Sequence, residues 1–72
     1  MTTPVKIYTK EGCPFTRGLQ RRLEQDGLPY VTCDVLRDPA QMQEMLSLNG
    51  GRRAVPTSVW PDGDVQVGFQ GS

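Results

Sequence analysis

The chain has 72 residues, enough for one small domain near the lower limit for a self-sufficient core. Eight basic residues balance eight acidic ones, so nothing in the overall charge indicates a nucleic-acid partner. No apolar run approaches the ~20 residues that cross a bilayer, so no membrane segment is predicted. Histidine is absent, which excludes imidazole metal ligands and Cys-His or Ser-His relays.

The cysteine content is low, with only Cys13 and Cys33 in the chain. Two cysteines are too few for a secreted disulfide scaffold, and one chain cannot build a metal cage from them alone. The N-terminus has no basic segment followed by a long apolar run, so no signal peptide is predicted. These features favour a free reactive thiol in a reducing compartment and predict a cytoplasmic protein.

The first half of the chain has the pattern of a βαβ unit. A strand is predicted over residues 5–9, a helix over 14–26 that Gly27 ends, and an alternating strand over 30–35. The helix carries apolar residues at Phe15, Leu19 and Leu23. A crossover helix between two strands of this length predicts that the strands are parallel.

The second half is predicted to contain a helix and a hairpin. Asp38 is the predicted N-cap of the helix, Pro39 its first residue, and Gln41 the capping-box partner. Its inward face is predicted at Met42, Met45 and Leu46, with Leu48 as a further candidate. The segment 49–51, Asn-Gly-Gly, ends this helix.

The final hairpin is predicted from a turn between two short apolar segments. A strand over residues 57–60 is followed by a Pro-Asp-Gly turn at 61–63. Alternation of Val65, Val67 and Phe69 then predicts the last strand.

Cys13 is the candidate nucleophile. Pro14 suits the first helical position, because its missing N–H would be unpaired there in any case. Cys13 therefore lies at the mouth of the helix, where the positive end of the dipole favours a thiolate. Thiols at helix starts titrate at roughly 3.5–7.5, compared with about 8.5 for a free cysteine. The alternative, a small buried hydrophobe, agrees less well with Lys10 and Gly12 beside it.

Thr16 occupies the position three residues after Cys13. Its hydroxyl can donate a hydrogen bond to a thiolate but cannot close a disulfide. The sequence therefore predicts a single-thiol redox site.

The segments 8–10, Tyr-Thr-Lys, and 13–15, Cys-Pro-Phe, resemble the active-site segment of the glutaredoxins. They are also similar to the small redoxins that serve ribonucleotide reductase. The departure is Thr16, where dithiol members carry cysteine and the iron–sulfur-linked monothiol members carry serine in a Cys-Gly-Phe-Ser motif. The chain is thus identified as a glutaredoxin-like member of the thioredoxin-like superfamily.

The resemblance implies an α/β fold in a single domain over residues 1–72. The implied order is β-α-β-α-β-β with a mixed four-stranded sheet. Relatives usually continue into a further C-terminal helix, which is missing from residues 1–72. Either the sequence is truncated, or a partner or dimerisation protects the exposed face of the sheet. A monomer is expected, or a dimer if a face of the sheet is uncovered.

The resemblance also implies the substrate-binding residues. A cis bond is expected between Val55 and Pro56, with the Val55 backbone pairing with the cysteinyl part of a bound thiol. Lys10 and Arg53 are expected to hold the carboxylates of glutathione. Phe15 and Gly68 are also expected to bind glutathione, together with Lys10, Arg53, Val55 and Pro56.

The implied function is a glutathione-dependent thiol–disulfide oxidoreductase with a monothiol mechanism. Cys13 would attack glutathione mixed disulfides, and Thr16 would support its thiolate. The expected partners are glutathione and disulfide-containing or glutathionylated proteins, with no metal, nucleic acid or membrane.

Two other functions remain open. One is a glutathione-assisted iron–sulfur cluster binding module formed by a homodimer. The other is a thiol redox sensor or peroxide reductase with a dedicated partner.

Cys33 lies between Val31 and Val35 in the second predicted strand. This pattern predicts a buried structural thiol. The alternative is a resolving cysteine that reaches Cys13 after local rearrangement.

Overall fold

The computed structural model describes residues 3–68 of the chain. The elements follow the predicted order and are β1 (Val5–Thr9), α1 (Pro14–Gln25), β2 (Tyr30–Asp34), α2 (Pro39–Leu48), β3 (Thr57–Val59) and β4 (Val65–Val67). Helix α1 and strands β2 and β3 each end one residue earlier than predicted. Phe69, predicted for the last strand, lies outside the described residues.

The four strands form one mixed sheet in the order β2-β1-β3-β4. Strands β1 and β2 are parallel, with Tyr8 beside Cys33 in the register, which confirms the predicted βαβ unit. Strand β3 is antiparallel to both β1 and β4, so the last two strands form the predicted hairpin. The carboxyl ends of β1 and β2 therefore lie at the same edge of the sheet, where the β1–α1 loop carries Cys13.

One face of the sheet is covered by α1. Val5 and Ile7 of β1 are fully buried against Leu19 and Leu23 of the helix. Burial of one such aliphatic side chain contributes about 1.5–3 kcal/mol. This packing fixes α1, and with it the residue at the start of the helix, against the sheet.

The opposite face is covered by α2. Tyr8 alternates with its neighbours in β1 and is buried here with Val35 and Met45. The Tyr8 hydroxyl donates to the Glu44 carboxylate, which also accepts from Lys6 Nζ at 2.9 Å. The Lys6 ammonium lies 5.0 Å from the centre of the Tyr8 ring. This cluster ties α2 to β1.

The buried face of α1 differs from the predicted one at its first turn. Phe15 is 39% exposed, whereas Thr16 is only 6% exposed. Successive helical residues are rotated by about 100°, which brings Thr16 closer than Phe15 to the direction shared by Leu19 and Leu23. The helix therefore buries a hydroxyl in its first turn, three residues after Cys13.

Helix α2 begins as predicted but without the capping box. The Asp38 side chain accepts from the Ala40 N–H at 3.1 Å, as an N-cap does. The Asp38 N–H already donates to the Asp34 carbonyl at 3.1 Å, so Gln41 has no donor to reach back to. Within residues 3–68 the Gln41 Oε1 atom is buried without a hydrogen-bond partner.

The C-terminal end of α2 is also more exposed to solvent than predicted, because the Leu48 side chain is 41% exposed.

Neither helix in the described part of the chain has the length and apolar character needed to cross a membrane.

Candidate active site

Cys13 is the N-cap residue of α1, and Pro14 follows at the first helical position. The Cys13 N–H donates to the Lys10 carbonyl at 3.3 Å, and this hydrogen bond closes the turn that follows β1. Gly12 makes this turn with a φ of +83°, which other residues rarely adopt. The turn leaves the Cys13 thiol half-buried and unbonded to any other cysteine.

Two buried threonines lie beside Cys13. Thr9 is the last residue of β1, Thr16 is in the first turn of α1, and their hydroxyls are hydrogen-bonded to each other. The Thr9 hydroxyl also lies 3.4 Å from the Lys10 carbonyl oxygen. The sequence predicted a role for Thr16 but missed Thr9. The only local signal was a hydroxyl residue at the end of an apolar strand, seven positions before Thr16.

The pKa of the Cys13 thiol is lowered from its ordinary value. Burial raises this pKa, but the Thr16 hydroxyl, the N–H groups of Thr16 and Phe15, and the Thr9 hydroxyl together outweigh burial. No helix-capping hydrogen bond of standard geometry reaches the Cys13 side chain, so these donors act on the sulfur as a group of nearby dipoles. The site therefore favours the thiolate.

Cys13 opens into a cleft of about 690 Å³ between α1 and β2. Thr32 and Asp34 line it from the strand, and Lys10 and Arg17 line it from the active-site loop and the helix. The cleft gives the sulfur access to a ligand considerably larger than water.

A pair of exposed side chains links the two loops beside this cleft. Arg37, in the β2–α2 loop, contacts Glu11 of the β1–α1 loop at 3.1 Å and Asp34 at 3.7 Å. The Arg37 and Glu11 side chains are mostly exposed, so their pair contributes little to stability.

Lys10 and Arg53 meet at a second, smaller cavity of about 170 Å³, which Val55 also lines. Lys10 therefore borders both cavities and lies between the Cys13 cleft and Arg53. The structure thus groups Cys13, Thr16 and Lys10 around one cavity, and Lys10, Arg53 and Val55 around the other.

The segment that carries Arg53 and Val55 is held by a buried polar network. Asn49 donates from Nδ2 to the Arg52 carbonyl at 2.8 Å and accepts from the Arg52 N–H at 3.0 Å. The Thr57 hydroxyl donates to the Ala54 carbonyl at 2.8 Å and lies 3.3 Å from Asn49 Nδ2. Sequence analysis gave the Asn49 segment only the role of ending α2.

The peptide bond between Val55 and Pro56 is cis in the structure. Gly68 lies behind it, and the Gly68 N–H donates to the Pro56 carbonyl at 2.7 Å. This N–H is therefore already paired with the Pro56 carbonyl, so Gly68 supports Pro56 instead of presenting a free N–H to a ligand. Neither Gly68 nor the exposed Phe15 lines the two cavities described above.

Cys33 lies on the other face of β2 from the Cys13 cleft. Its neighbours Thr32 and Asp34 line that cleft, whereas Cys33 is half-buried against the cluster of Tyr8 and Met45. The strand thus separates the two thiols, and this arrangement favours the interpretation of Cys33 as a structural thiol.

Comparison with known proteins identifies the family. The glutaredoxin family model matches residues 5–65. Mycoredoxin 1 of Corynebacterium glutamicum is 39% identical over 59 residues, which are 82% of this chain and 72% of the relative. A glutaredoxin candidate of Mycobacterium tuberculosis is 32% identical over 63 residues, covering 88% of this chain and 75% of the relative.

Among solved structures, the thioredoxin-like protein BC3987 matches with a TM-score of 0.75 and 30% identity. The match covers 92% of this chain and 88% of that chain. A point mutant of the same protein matches with a TM-score of 0.75 and 29% identity, over 92% of this chain and 86% of that one. With a thioredoxin-like fold, a cysteine at the start of a helix and a family model that matches most of its length, the chain belongs to the glutaredoxin family.

Proposed function

We propose that this glutaredoxin-family protein uses Cys13 alone to reduce mixed disulfides of glutathione. The observation that carries the proposal is the pairing of a stabilised thiolate at the start of α1 with Thr16 at the position of a second cysteine. Cys33, on the opposite face of β2, is not positioned to resolve an adduct on Cys13 without rearrangement. A cytoplasmic location suits a cycle that needs a reduced thiol.

The first step is thiol–disulfide exchange. The Cys13 thiolate attacks the glutathione sulfur of a mixed disulfide, so that a Cys13–glutathione disulfide forms as the original S–S bond breaks. The substrate sulfur leaves with the electron pair as a thiolate and takes a proton from water. The hydroxyls of Thr9 and Thr16 increase the fraction of Cys13 that is ionised and ready to attack.

The second step returns the enzyme to its starting state. The thiolate of a second glutathione attacks the glutathione sulfur of the adduct, which forms oxidised glutathione and releases the Cys13 thiolate. The donors that lower the Cys13 pKa help here too, because a thiol of low pKa is the better leaving group. The net reaction consumes one mixed disulfide and one glutathione, and yields one free thiol and one oxidised glutathione.

Glutathione is the proposed thiol because of the cations that border the cavities. Lys10 lies beside the Cys13 cleft, and Arg53 lies with Lys10 on the smaller cavity. A guanidinium grips a carboxylate through two parallel hydrogen bonds, and an ammonium adds a point charge. The backbone of Val55, on the same cavity, is proposed to align the cysteinyl part of the ligand.

A steady-state assay tests this function. The mixed disulfide of glutathione and 2-mercaptoethanol is supplied with reduced glutathione, and oxidised glutathione is measured. We expect turnover by the wild type and by Cys33→Ser at comparable rates, and none by Cys13→Ser. A matched assay in which cysteamine replaces reduced glutathione, followed by the release of 2-mercaptoethanol from the substrate, should be slower, because cysteamine has no carboxylate. Loss of turnover in Cys33→Ser would contradict the single-cysteine cycle.

A further inference from the structure

We infer that the smaller cavity selects thiols in which the reacting cysteine is followed by a C-terminal residue with an apolar side chain and a free carboxylate. This inference rests on the proposed function and names the substrate class more narrowly. The cavity, called here the Lys10–Arg53 pocket, is lined by these two cations and by Val35, Leu36, Met42, Met45 and Val55.

The floor of the pocket is apolar and belongs to the core. Val35 is 3% exposed and Met45 is 0% exposed, so the pocket reaches down to the packed layer between α2 and the sheet. Methionine side chains are flexible and polarizable, and they adapt to irregular apolar groups. The half-buried Met42 therefore gives the pocket an adjustable wall.

The rim of the pocket carries an exposed leucine. Leu36 is 68% exposed, the most exposed large hydrophobic side chain among residues 3–68. A single exposed leucine needs no explanation, but this one borders a cavity whose other apolar residues are largely buried. An apolar ligand group in the pocket would remove both the Leu36 side chain and itself from water.

The charges of the pocket select the other end of the ligand. Lys10 and Arg53 form no ion pair with an acidic side chain in the part of the chain that the structure describes. Glu11 and Asp34, the acidic residues beside the Cys13 cleft, instead contact Arg37. Two cations above an apolar floor complement a group that has a carboxylate at one end and a hydrocarbon side chain at the other.

Glutathione meets only half of this description. Its C-terminal glycine offers a carboxylate to Lys10 and Arg53 but has no side chain for the 170 Å³ between the apolar walls. A leucine or valine at the same position would place its side chain against Leu36 and Met42. Because Lys10 borders both cavities, we expect the residue that follows a cysteine bound at Cys13 to reach the pocket.

The test compares symmetrical disulfides of γ-Glu-Cys-Gly, γ-Glu-Cys-Val and γ-Glu-Cys-Leu as substrates. Each is mixed with the reduced protein, and the rate of adduct formation on Cys13 is followed by intact mass. One added methylene in an apolar pocket changes specificity by about 10-fold or more, and leucine adds four carbons to glycine, so we expect the leucyl disulfide to react at least about 10-fold faster than oxidised glutathione. The C-terminal amide of the leucyl peptide should lose about 10-fold, because charge-assisted hydrogen bonds are among the strong ones.

Two leucine variants locate the effect. Leu36→Ala removes the rim of the pocket and should abolish most of the preference for leucine over glycine. Leu48→Ala is the matched control, because Leu48 is also exposed but lines neither cavity, and it should keep the preference. A loss of preference in Leu48→Ala as large as that in Leu36→Ala would overturn the assignment to this pocket.

The remaining outcomes separate this inference from the proposed function. Equal rates for the glycyl, valyl and leucyl disulfides, with adducts from all three, would overturn the inference and leave the glutathione cycle intact. A preference for leucine that the amide retains would overturn recognition of the carboxylate. Failure of every disulfide to form an adduct would overturn the proposed function itself.

Discussion

The hydroxyls of Thr9 and Thr16 share a buried hydrogen bond across the turn that presents Cys13. A threonine hydroxyl has one proton to donate and lone pairs to accept. When Thr9 donates to Thr16, the Thr16 proton is free to point toward the Cys13 sulfur. Thr9 then orients the Thr16 hydroxyl, which is the strongest of the donors that lower the pKa of the Cys13 thiol, and Thr16 stands where dithiol relatives carry a second cysteine.

Replacement of Thr16 by valine should make Cys13 less reactive at neutral pH. The variant keeps the volume of the side chain but loses the donor that acts most strongly against burial, so the pKa of Cys13 rises. A hydrogen bond to a charged group contributes about 1.5–3 kcal/mol when it is buried, and less when it is near solvent. Because Cys13 is only half-buried, we expect about 3- to 10-fold slower alkylation at pH 7.

The measurement for Thr16→Val is the rate of alkylation by iodoacetamide as a function of pH. The wild-type rate should fall only when the pH drops through its lowered pKa, and the valine curve should lie at higher pH. Thr16→Ser keeps the hydroxyl and should follow the wild type. Superimposable curves for valine and wild type would show that Thr16 does not act on the sulfur.

Replacement of Thr9 by valine should shift the same curve in the same direction, but less. The Thr9 hydroxyl makes the smallest of the contributions that lower the Cys13 pKa, and it also positions the Thr16 hydroxyl. Because the two residues act through one hydrogen bond, the double variant should shift the curve by less than the sum of the single shifts.

The control for Thr9 is Thr32→Val. Thr32 lines the Cys13 cleft and accepts from Gln20 Nε2 at 3.0 Å, but no hydrogen bond joins it to the threonine pair in the described part of the chain. Its alkylation curve should match the wild type. Strictly additive shifts for Thr9 and Thr16 would mean that each threonine acts on the sulfur independently.

Replacement of Arg53 by alanine should raise the KM for glutathionylated substrates. Loss of a charge-assisted hydrogen bond predicts about a 10-fold lower kcat/KM, with the effect diminished at high salt. Arg21→Ala is the matched control, because Arg21 is an exposed residue of α1 that lines neither cavity. An equal loss in both variants would reduce the role of Arg53 to general surface charge.

Glu44 should stabilise the fold without affecting the chemistry. Its carboxylate accepts from the buried Tyr8 hydroxyl and from Lys6, and these hydrogen bonds lower the pKa of Glu44. Glu44→Ala should therefore lower the melting temperature at pH 7 more than Gln43→Ala, a neighbouring exposed change in α2, and leave Cys13 alkylation unchanged.

The pH dependence of this effect has a fixed sign. A carboxyl group whose pKa is lower in the folded state than in the unfolded one stabilises the fold above its unfolded pKa, and the stabilisation disappears as pH falls through the folded pKa. The difference in melting temperature between wild type and Glu44→Ala should therefore shrink in acid, as measured by thermal unfolding across pH. A difference that stays constant in acid would exclude the ionised carboxylate as its source.

Local signals in the sequence were enough to predict the start of the site. Alternation defined β1, and Pro14 after Cys13 placed the thiol at the N-cap of α1. Both features depend on residues within a few positions of each other. The same is true of Asp38, whose side chain caps α2 as predicted.

Contacts between distant parts of the chain were not predictable in the same way. Thr9 acquires its role beside Cys13 only because α1 returns Thr16 to the end of β1. Asn49 holds the next segment in place only because the fold brings Thr57 beside it. The Gln41 capping box failed because the Asp34 carbonyl had already taken the Asp38 N–H. The position of Lys10 between two cavities likewise depends on the packing of three loops.

The central claim, that Cys13 acts alone, is tested most directly by the intact mass of the reduced protein after exposure to oxidised glutathione. We expect one glutathione adduct on the wild type and on Cys33→Ser, removed by excess reduced glutathione, and none on Cys13→Ser. A wild-type product that only loses its thiol hydrogens, with an adduct on Cys33→Ser alone, would make Cys33 the resolving partner and contradict the account.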